Sequence, residues 1–497
     1  MSDLFDGLYV FEMANNHQGS VEHGLRIIEA AGRIARRHRV KAAVKLQFRD
    51  LDSFIHPDFK GRQDIKHIPR FESTRMDVAD FRRFVDATHE AGLISMATPF
   101  DEASVGTCLQ LGVQIVKVAS CSAADWPLLT AVAEARRPVI ASTGGLQIYD
   151  IDALVSFLSK RVPSLGLMHC VSVYPTPQEE VAMGFMGKMI RRYPYVTVGY
   201  SGHEPPADTE VPQVAVAVGA KILERHIGVP TDEIKLNAYS MNPDEADAWV
   251  AAGERARRML GDGTKHVTEV EADSLRELQR GVFAKRAIAR GETIKPEDVF
   301  FAMPRAEGQL TSGAFGQLRA HYVASKDYAA KEAIHESAQS DEARQVRGIL
   351  HDAKGMLYEA GLVVGDDCTV EISHHFGLER FRQTGCILVN VVNRDYCNKL
   401  LIVMPGQSHP DHYHKQKEET FHLLWGDLRL VNNGEAHDMK PGDKVLVERG
   451  DVHNFSSVGG AIFHEISTRS IVGDSYYTDP AIAALDPMQR KTILDRF

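Results

Sequence analysis

Polar side chains with catalytic potential stand at the ends of short apolar runs in the first 230 residues of this chain. His203 and His226 are of the type that binds a divalent metal, and an ion with only two protein ligands keeps positions open for a substrate oxygen. Glu12 and Glu224 are candidate acid–base groups or hydroxyl binders. The remaining side chains are cations and hydrogen-bond donors suited to a phosphate and a carboxylate, namely Lys45, Gln47, Thr98, Lys117 and Ser120.

The runs that carry these residues alternate with amphipathic stretches long enough for helices, such as 20–38 and 76–92. Such alternation predicts a parallel α/β sheet, and eight units predict its closure into a (β/α)8 TIM barrel. Because the carboxyl ends of barrel strands converge, the polar residues are expected to surround one pocket. The eight runs are 9–16, 42–48, 93–100, 115–120, 138–145, 165–175, 196–204 and 220–228.

Length and composition indicate a multidomain, acidic protein of the cytoplasm. The 497 residues exceed one ordinary core, so two or three domains are expected. The net charge of −10 argues against a nucleic-acid partner. Six scattered cysteines without a C-x-x-C pair indicate reduced thiols. No signal peptide is evident, and no run approaches the roughly 20 apolar residues that cross a bilayer, so no membrane partner is expected.

Changes in the pattern of apolar and polar residues along the chain predict three domains. The barrel pattern ends near residue 265, and short β-prone runs then predict a small β-rich module. An amphipathic helix at 340–361 leads into alternating apolar and polar residues with glycine turns at 368–470, which is typical of an all-β sandwich or small barrel. The predicted domains are 1–265, 282–337 and 340–497.

A second metal site is predicted in the C-terminal domain. His412 and His414 share one face of a strand because side chains repeat every two residues, and Glu419 and His453 follow at a distance. Three histidines and one glutamate are a standard divalent set, open to Mn, Zn, Fe or Ni. Glu418 is the alternative to Glu419, although the spacing favours Glu419. The pattern resembles that of the cupins, and Glu465 and Lys415 are candidate acid–base groups beside it.

Residues 1–335 resemble the sialic acid (N-acetylneuraminate) synthase family. The resemblance rests on several motifs that occur in the family's order. They stand at 12–19 (E-I-G-x-N-H-N-G in the family), 45–47 (K-x-Q), 97–101 (S-T-P-F-D), 117–120 (K-I-A-S), 142–144 (S-T-G), 174–177 (Y-P-x-P), 199–203 (G-Y-S-D-H) and 224–226 (E-K-H).

The resemblance implies a synthase that condenses phosphoenolpyruvate with a sugar aldehyde and releases phosphate, giving a nonulosonic or related 3-deoxy-2-keto sugar acid. A divalent ion, Mn in the family, would lie on His203 and His226 and polarise the aldehyde. The catalytic set would be Glu12, Lys45, Lys117, His203, Glu224 and His226. Phosphoenolpyruvate would be held by Lys45, Gln47, Thr98, Lys117, Ser120, Tyr174 and Ser201.

The module at 282–337 resembles the antifreeze-like (SAF) domain that follows these barrels. It implies a domain-swapped homodimer in which Arg305 of one chain reaches the sugar site of the other.

At the motif positions that the resemblance assigns to sugar binding, this chain differs from the family. The carboxylate that follows K-I-A-S in the family is missing here, where the chain reads Ser120-Cys121-Ser122, and the usual asparagine two positions before Tyr174 is Ser172. We therefore expect an acceptor other than N-acetylmannosamine. The candidate sugar-binding residues are Glu12, Ser122, Ser172, Glu224 and Arg305.

The C-terminal domain, with segments such as EISHHFGLERF at 371–381, resembles sugar-isomerase cupins of the D-lyxose isomerase type. Two alternatives therefore remain beside a simple synthase. One is a bifunctional enzyme whose cupin isomerises or epimerises the sugar. The other is a catalytically retired barrel that binds sugars or serves as a scaffold.

Overall fold

The structure, a computed structural model, describes residues 4–263, 265–317, 320–338, 342–365 and 367–497. The chain forms two compact units, Met1–Lys265 and His266–Phe497. Residue 340, at which the third predicted domain begins, lies outside the described residues. No described helix is both long and apolar enough to cross a membrane.

The first unit is a closed barrel of eight parallel strands. Strand β1 pairs with both β2 and β8, which closes the ring and confirms the predicted (β/α)8 architecture. The strands are β1 (Leu8–Glu12), β2 (Lys41–Phe48), β3 (Ile94–Pro99), β4 (Ile115–Val118), β5 (Val139–Ser142), β6 (Leu165–Cys170), β7 (Thr197–Ser201) and β8 (Ile222–His226).

Helices return the chain between successive strands, so that every strand runs in the same direction. The first of them begins after Ser20, whose hydroxyl accepts a hydrogen bond from His23 N, and it buries Ile27, Ala31 and Ile34 at helical spacing. The helices of this unit are α1 (Val21–His38), α2 (Leu51–Phe54), α3 (Ile68–Ser73), α4 (Val78–Glu90), α5 (Glu102–Leu111), α6 (Trp126–Glu134), α7 (Ile148–Leu158), α8 (Met183–Arg192), α9 (Glu210–Val218) and α10 (Pro243–Leu260).

The barrel interior changes from apolar to polar along the strands. A buried layer near the amino ends contains Val10, Ala43, Ile115, Ile140 and Ile222. Because side chains alternate along a strand, the residue two positions later points to the same interior. Those residues are Glu12, Lys45, Lys117, Ser142 and Glu224. The strand pattern thus places a charged layer directly above the apolar one.

The second unit begins with α11 (Glu269–Leu278) and a small region built on β9 (Gly281–Ala284) and β10 (Val299–Ala302), with α12 (Ser312–Phe315). The two strands pair antiparallel, and single β-bridges such as Ile288 to Tyr328 connect the neighbouring loops. Val282, Ile294, Tyr322 and Ile334 belong to its own buried core. In its described residues, regular strand is limited to this pair. Its assignment as an antifreeze-like domain remains a prediction.

The rest of the second unit is a sandwich of a seven-stranded and a five-stranded sheet, in the orders β18-β15-β20-β13-β12-β11-β22 and β17-β16-β19-β14-β21. Phe421 and Phe463 of the larger sheet share one core with Leu430 and Phe455 of the smaller sheet. The strands are β11 (Thr369–Ser373), β12 (Cys386–Asn393), β13 (Tyr396–Val403), β14 (Ser408–Tyr413), β15 (Glu419–Gly426), β16 (Leu428–Asn432), β17 (Glu435–Met439), β18 (Lys444–Val447), β19 (His453–Ser456), β20 (Ala461–Thr468), β21 (Tyr476–Tyr477) and β22 (Lys491–Leu494).

The predicted helix ahead of this sandwich is α13 (Glu342–Glu359), and a short α14 (Pro480–Ala483) lies near the end of the chain. Val346, Ile349 and Met356 of α13 pack in one core with Ile372 and Ile402 of the seven-stranded sheet. The all-β architecture expected for this region is confirmed.

Candidate active site and candidate metal centre

The charged layer of the barrel is a buried network of two lysines and two carboxylates. Lys45 Nζ pairs with Glu12 and lies 2.7 Å from Glu224 Oε1. Lys117 Nζ lies 3.5 Å from the same Glu224 oxygen. All four residues are at most 4% exposed. Two positive and two negative charges balance each other, and such pairing offsets part of the cost of burying them.

The members of this network differ in their affinity for a proton. Burial raises the pKa of the Glu12 carboxyl, and the nearby Lys45 only partly opposes that effect. Burial also acts on Glu224, but Lys117 and Lys45 outweigh it and hold the pKa of this carboxyl well below its usual range. Of the two carboxylates, Glu12 therefore takes up a proton more readily, whereas Glu224 stays ionised.

Hydroxyl groups extend the network towards the mouth of the barrel. Lys117 Nζ donates to Ser142 Oγ at 2.6 Å, and Ser201 Oγ donates to Glu224 Oε1 at 2.9 Å. Thr98 Oγ1 and Glu224 Oε2 are buried and have no hydrogen-bond partner among the described residues. Because buried polar atoms are normally satisfied, these two atoms are suited to bind a polar ligand.

His203 and His226 lie next to each other, with ring centroids 5.5 Å apart. Two imidazoles that share one ion at about 2.1 Å place their ring centres roughly 5 Å apart, so the spacing fits a shared ion. His203 Nδ1 donates to Val171 O at 3.3 Å, which leaves Nε2 as the candidate ligand atom. Burial lowers the pKa of His203 to about 4 and that of His226 well below its usual value. Both imidazoles are thus neutral at neutral pH, the form that binds metal.

In the sandwich, the four predicted ligands converge. Candidate ligand atoms of His412, His414, Glu419 and His453 lie within 4.8 Å of one another, and all four residues are buried. Each histidine donates its Nδ1–H to a backbone carbonyl, at 3.1 Å to Pro410 O, 2.6 Å to Asp474 O and 3.0 Å to Asp451 O respectively. These bonds fix the rings so that Nε2 faces the cluster.

The donor atoms of this cluster fit a divalent ion. His414 Nε2 and His453 Nε2 are buried and face Glu419 Oε1 at 3.5 Å and 2.9 Å, and the other Glu419 oxygen pairs with Lys417. Burial lowers the pKa of His414 to about 4, so its ring is neutral. Burial opposes ionisation of Glu419, yet Lys417 and the two histidines keep its pKa well below the usual value. Three imidazoles and one carboxylate form the donor set that the sequence predicts.

Each of the two units matches a different known protein family. Residues 34–265 match the model of the NeuB family, and residues 399–467 match that of the Cupin domain. The chain is 43% identical to spore coat polysaccharide biosynthesis protein E from Chromobacterium violaceum, whose crystal structure it matches with a TM-score of 0.64 over 66% of this chain and 98% of that one. This chain belongs to the NeuB family.

Curated relatives of this NeuB-family chain cover a similar share of it. Spore coat polysaccharide biosynthesis protein SpsE of Bacillus subtilis is 26% identical over 62% of this chain and 87% of the relative. N-acetylneuraminate-9-phosphate synthase of Homo sapiens is 26% identical over 59% of this chain and 86% of the relative.

An aromatic wall beside the histidine pair was not predicted from the sequence. The ring centroid of Tyr239 lies 5.1 Å from that of His226 and 5.3 Å from that of Tyr174, whose own ring lies 4.3 Å from His203. Tyr239 belongs to the irregular segment between β8 and α10, where no periodic pattern marks its direction. Tyr174, a predicted phosphoenolpyruvate residue, therefore borders the histidine pair in this NeuB-family chain.

The remaining predicted residues are three serines of the barrel and one arginine of the second unit. Ser120 Oγ accepts a hydrogen bond from Gly144 N at 3.1 Å. Ser172 lies close on the other side of Gly144, where an added Cβ would collide with both serine hydroxyls. Ser122 is buried, whereas Ser172 is exposed. Arg305 belongs to the second unit, where its Nη1 donates to Gln309 O at 3.4 Å, and its role at a sugar site remains a prediction.

Two predicted residues, Glu418 and Lys415, lie next to the candidate metal ligands of the sandwich. Glu418 is exposed and Glu419 is buried, as the motif spacing favoured. Lys415, predicted as an acid–base group, is exposed, and its Nζ lies 4.3 Å from the ring centroid of Tyr476. The backbone turns here because Asp474 accepts hydrogen bonds from the amides of 415–417. This turn directs Lys417 inward, 2.9 Å from Glu465 Oε1.

Proposed function

We propose that the barrel condenses phosphoenolpyruvate with the aldehyde of an open-chain sugar, releasing phosphate and forming a 3-deoxy-2-keto sugar acid of the sialic acid type. The observation that carries the proposal is the buried network of Lys45 and Lys117 directly beside the His203–His226 pair. An anion site next to a metal site suits an acidic phosphate that reacts with an aldehyde. Relatives named as synthases of N-acetylneuraminate 9-phosphate, N,N'-diacetyllegionaminic acid and pseudaminic acid support it.

The chain's own residues divide the work. Lys45 and Lys117 bind the negative charges of phosphoenolpyruvate, and the free hydroxyl of Thr98 satisfies one of its oxygens. A divalent ion on His203 and His226, Mn by resemblance, would supply a Lewis acid for the aldehyde. Glu12, whose raised pKa makes it the more basic of the two carboxylates, is the candidate to relay a proton to the aldehyde oxygen as that oxygen gains charge, and ionised Glu224 stabilises positive charge at C2.

The overall step balances with water as the third reactant. C3 of phosphoenolpyruvate forms a bond to the aldehyde carbon, and the double bond to C2 is lost. Water adds to C2, and phosphate then leaves with the oxygen that bridged it to C2. The products are a hydroxylated 2-keto acid, extended by three carbons, and inorganic phosphate.

N-acetylmannosamine is expected to be a poor acceptor, because Ser122 and Ser172 replace an acid and an amide that the family uses for this sugar. Loss of a required hydrogen-bonding group lowers selectivity by roughly 10⁴ in strong cases. Phosphate release from phosphoenolpyruvate, measured with a panel of aldoses, tests this. Turnover of N-acetylmannosamine that equals the best acceptor contradicts the inference. No release with any aldose favours the retired barrel instead.

The assembly that we propose is a homodimer in which the 282–337 module of one chain covers the barrel of the other and brings Arg305 to the sugar. Resemblance to the family supports this arrangement, as does the presence of an arginine directly after Met303-Pro304.

For the cupin we propose a second activity, isomerisation or epimerisation of a sugar. The supporting observation is a cavity of about 320 Å³ that is lined by His412, His414 and Glu419 together with Lys399, Lys417, Glu465 and Tyr477. Glu465 is 3% exposed and pairs with Lys417. Such a lining offers hydrogen bonds to a polyhydroxylated ligand, and Glu465 is the candidate acid–base group.

The proposed cupin activity requires the cupin metal, so substitution of two of its ligands should remove both the activity and the ion. Full-length protein with the barrel disabled by His203→Ala is expected to exchange an aldose C2 proton with deuterated water, as enediol chemistry requires. Adding His412→Ala with His414→Ala should abolish the exchange and lower the bound metal by one ion per chain, measured by NMR and elemental analysis.

The matched control for this pair is His351→Ala, an exposed histidine on α13, which should change neither readout. Metal-loaded protein that binds sugars without exchanging the proton would leave a sensing or structural role only.

A further inference from the structure

An arginine that pairs with no carboxylate in the described part of the chain lies at the mouth of the barrel. Arg49 directly follows β2, and its guanidinium carbon lies 3.6 Å from the ring centroid of Phe100 and 4.2 Å from that of Phe71. Its Nη1 donates to Gln47 Oε1 at 3.1 Å, and its Nε is buried without a hydrogen-bond partner in the described part of the chain.

Other arginines of the same segment are paired. Arg62 lies 2.5 Å from Asp64, and Arg75 lies 2.6 Å from Asp52, both at exposed positions. Arg49 forms no ion pair within the described residues, although it is more buried, and burial lowers the pKa of its guanidinium to about 10. A partly buried cation is costly unless an anion compensates it. The two rings also fix the plane of the guanidinium, which suits bidentate binding of a phosphate or carboxylate.

The position of Arg49 separates it from the proposed phosphoenolpyruvate site. Lys45 and Gln47 occupy alternate positions of β2 and point towards the barrel interior, while Val44, Leu46 and Phe48 pack in the core outside it, and Arg49 follows the end of the strand. Each step of two residues advances roughly 6–7 Å along an extended strand, so the Cα atom of Arg49 lies up to roughly 13 Å from that of Lys45. The Lys45 ammonium pairs with Glu12 and Glu224, whereas the Arg49 guanidinium packs on Phe71 and Phe100 beyond the end of the strand.

The space beside Arg49 is small and polar. A recess of about 40 Å³ is lined by Asn15, His17, Gln47, Arg49 and Thr74, among others. A recess of this size suits one anionic group of a ligand whose remaining atoms lie outside it.

We infer that Arg49 binds an anionic group, a phosphate or a carboxylate, at the end of the acceptor sugar distant from its aldehyde. The acceptor is then a sugar phosphate or a uronic-acid-type sugar rather than a neutral aldose. This inference rests on the proposed synthase function. It assigns the barrel a specificity site that is separate from the two lysines that hold phosphoenolpyruvate.

The test compares each aldose of the panel as the neutral sugar, its terminal phosphate and its uronic acid. Full-length protein should use one anionic form at least 30-fold better in kcat/KM than the neutral parent, and the favoured form identifies the group. Arg49→Met should remove this preference and leave the KM for phosphoenolpyruvate within about threefold, while Arg49→Lys should retain part of it because the charge remains. Arg62→Met, at an exposed arginine, is the matched control and should behave like the unaltered protein.

Three results would overturn the inference. The first is equal use of neutral and anionic acceptors by the unaltered protein. The second is a higher KM for phosphoenolpyruvate in Arg49→Met with the acceptor preference intact, because Arg49 would then act through Gln47. If phosphate is not released from phosphoenolpyruvate with any acceptor, the synthase proposal fails. Calorimetric measurement of the binding of the same sugars, without phosphoenolpyruvate, then tests whether Arg49 forms an anion site. Binding of a sugar phosphate or uronate that Arg49→Met abolishes supports the site, and binding unchanged by Arg49→Met overturns it.

Discussion

Replacing either His203 or His226 with alanine is expected to abolish phosphate release from phosphoenolpyruvate, with a loss of about 10³-fold or more. Only these two imidazoles are proposed to hold the ion of the barrel, so one substitution removes half of its protein ligands. Loss of a single group that stabilises developing charge on oxygen costs roughly 10²–10³ in rate, and loss of a Lewis acid should cost at least as much. Phosphate release at saturating phosphoenolpyruvate and acceptor, with metal analysis of each variant, measures the effect.

The matched control is His89→Ala, an exposed histidine near the end of α4, which should retain full activity. Chelation of the unaltered protein should reproduce the effect of the substitutions, and added metal should restore the chelated protein but not the variants. Activity that survives both chelation and the His203→Ala, His226→Ala double substitution would show that the barrel works without a metal.

Replacing Lys45 with methionine is expected to destabilise the first unit as well as inactivate it. Lys45 balances Glu12 and Glu224 in a network that is almost fully buried, so its removal leaves an uncompensated negative charge. Breaking a buried pair from one side costs about 3–5 kcal/mol. For a unit of this size that corresponds to a fall in Tm of roughly 6–20 °C, which calorimetry of the full-length protein can measure.

Two further variants isolate the charge effect. Lys221→Met removes a lysine that is 55% exposed and pairs with Asp6 on the surface, and it should change the Tm little. Adding Glu12→Gln to Lys45→Met restores the charge balance and should recover part of the stability but none of the activity. A Lys45→Met protein as stable as Lys221→Met would mean that the network is not held together by its ion pairs.

The interior position of the side chains at the strand ends could be predicted because successive side chains of a barrel strand point alternately to the interior and to the surrounding helices. Glu12, Lys45, Lys117 and Glu224 follow buried apolar residues by two positions, and this spacing alone places them in one interior layer. The sequence could not tell which lysine would pair with which carboxylate. That depends on the register and tilt of neighbouring strands.

The residues that sequence reasoning missed depend on contacts between distant segments. Ser142 meets Lys117 only because β4 and β5 pair with Lys117 beside Ile140. Tyr239 comes from an irregular segment, where periodicity gives no direction. Lys417 was missed in favour of Lys415 because the turn between them is fixed by Asp474, nearly 60 residues later.

The proposed reaction breaks the bond between C2 and the bridging oxygen of phosphoenolpyruvate, whereas hydrolysis or transfer of the phosphoryl group breaks the bond to phosphorus. Phosphoenolpyruvate that carries ¹⁸O at the bridging position therefore tests the central claim most directly. Full-length protein is incubated with this substrate, metal and the best acceptor, and the released phosphate is examined by ³¹P NMR. We expect the label to leave with the phosphate and the new keto group to take its oxygen from water. Unlabelled phosphate, with the label retained in the three-carbon product, would contradict it.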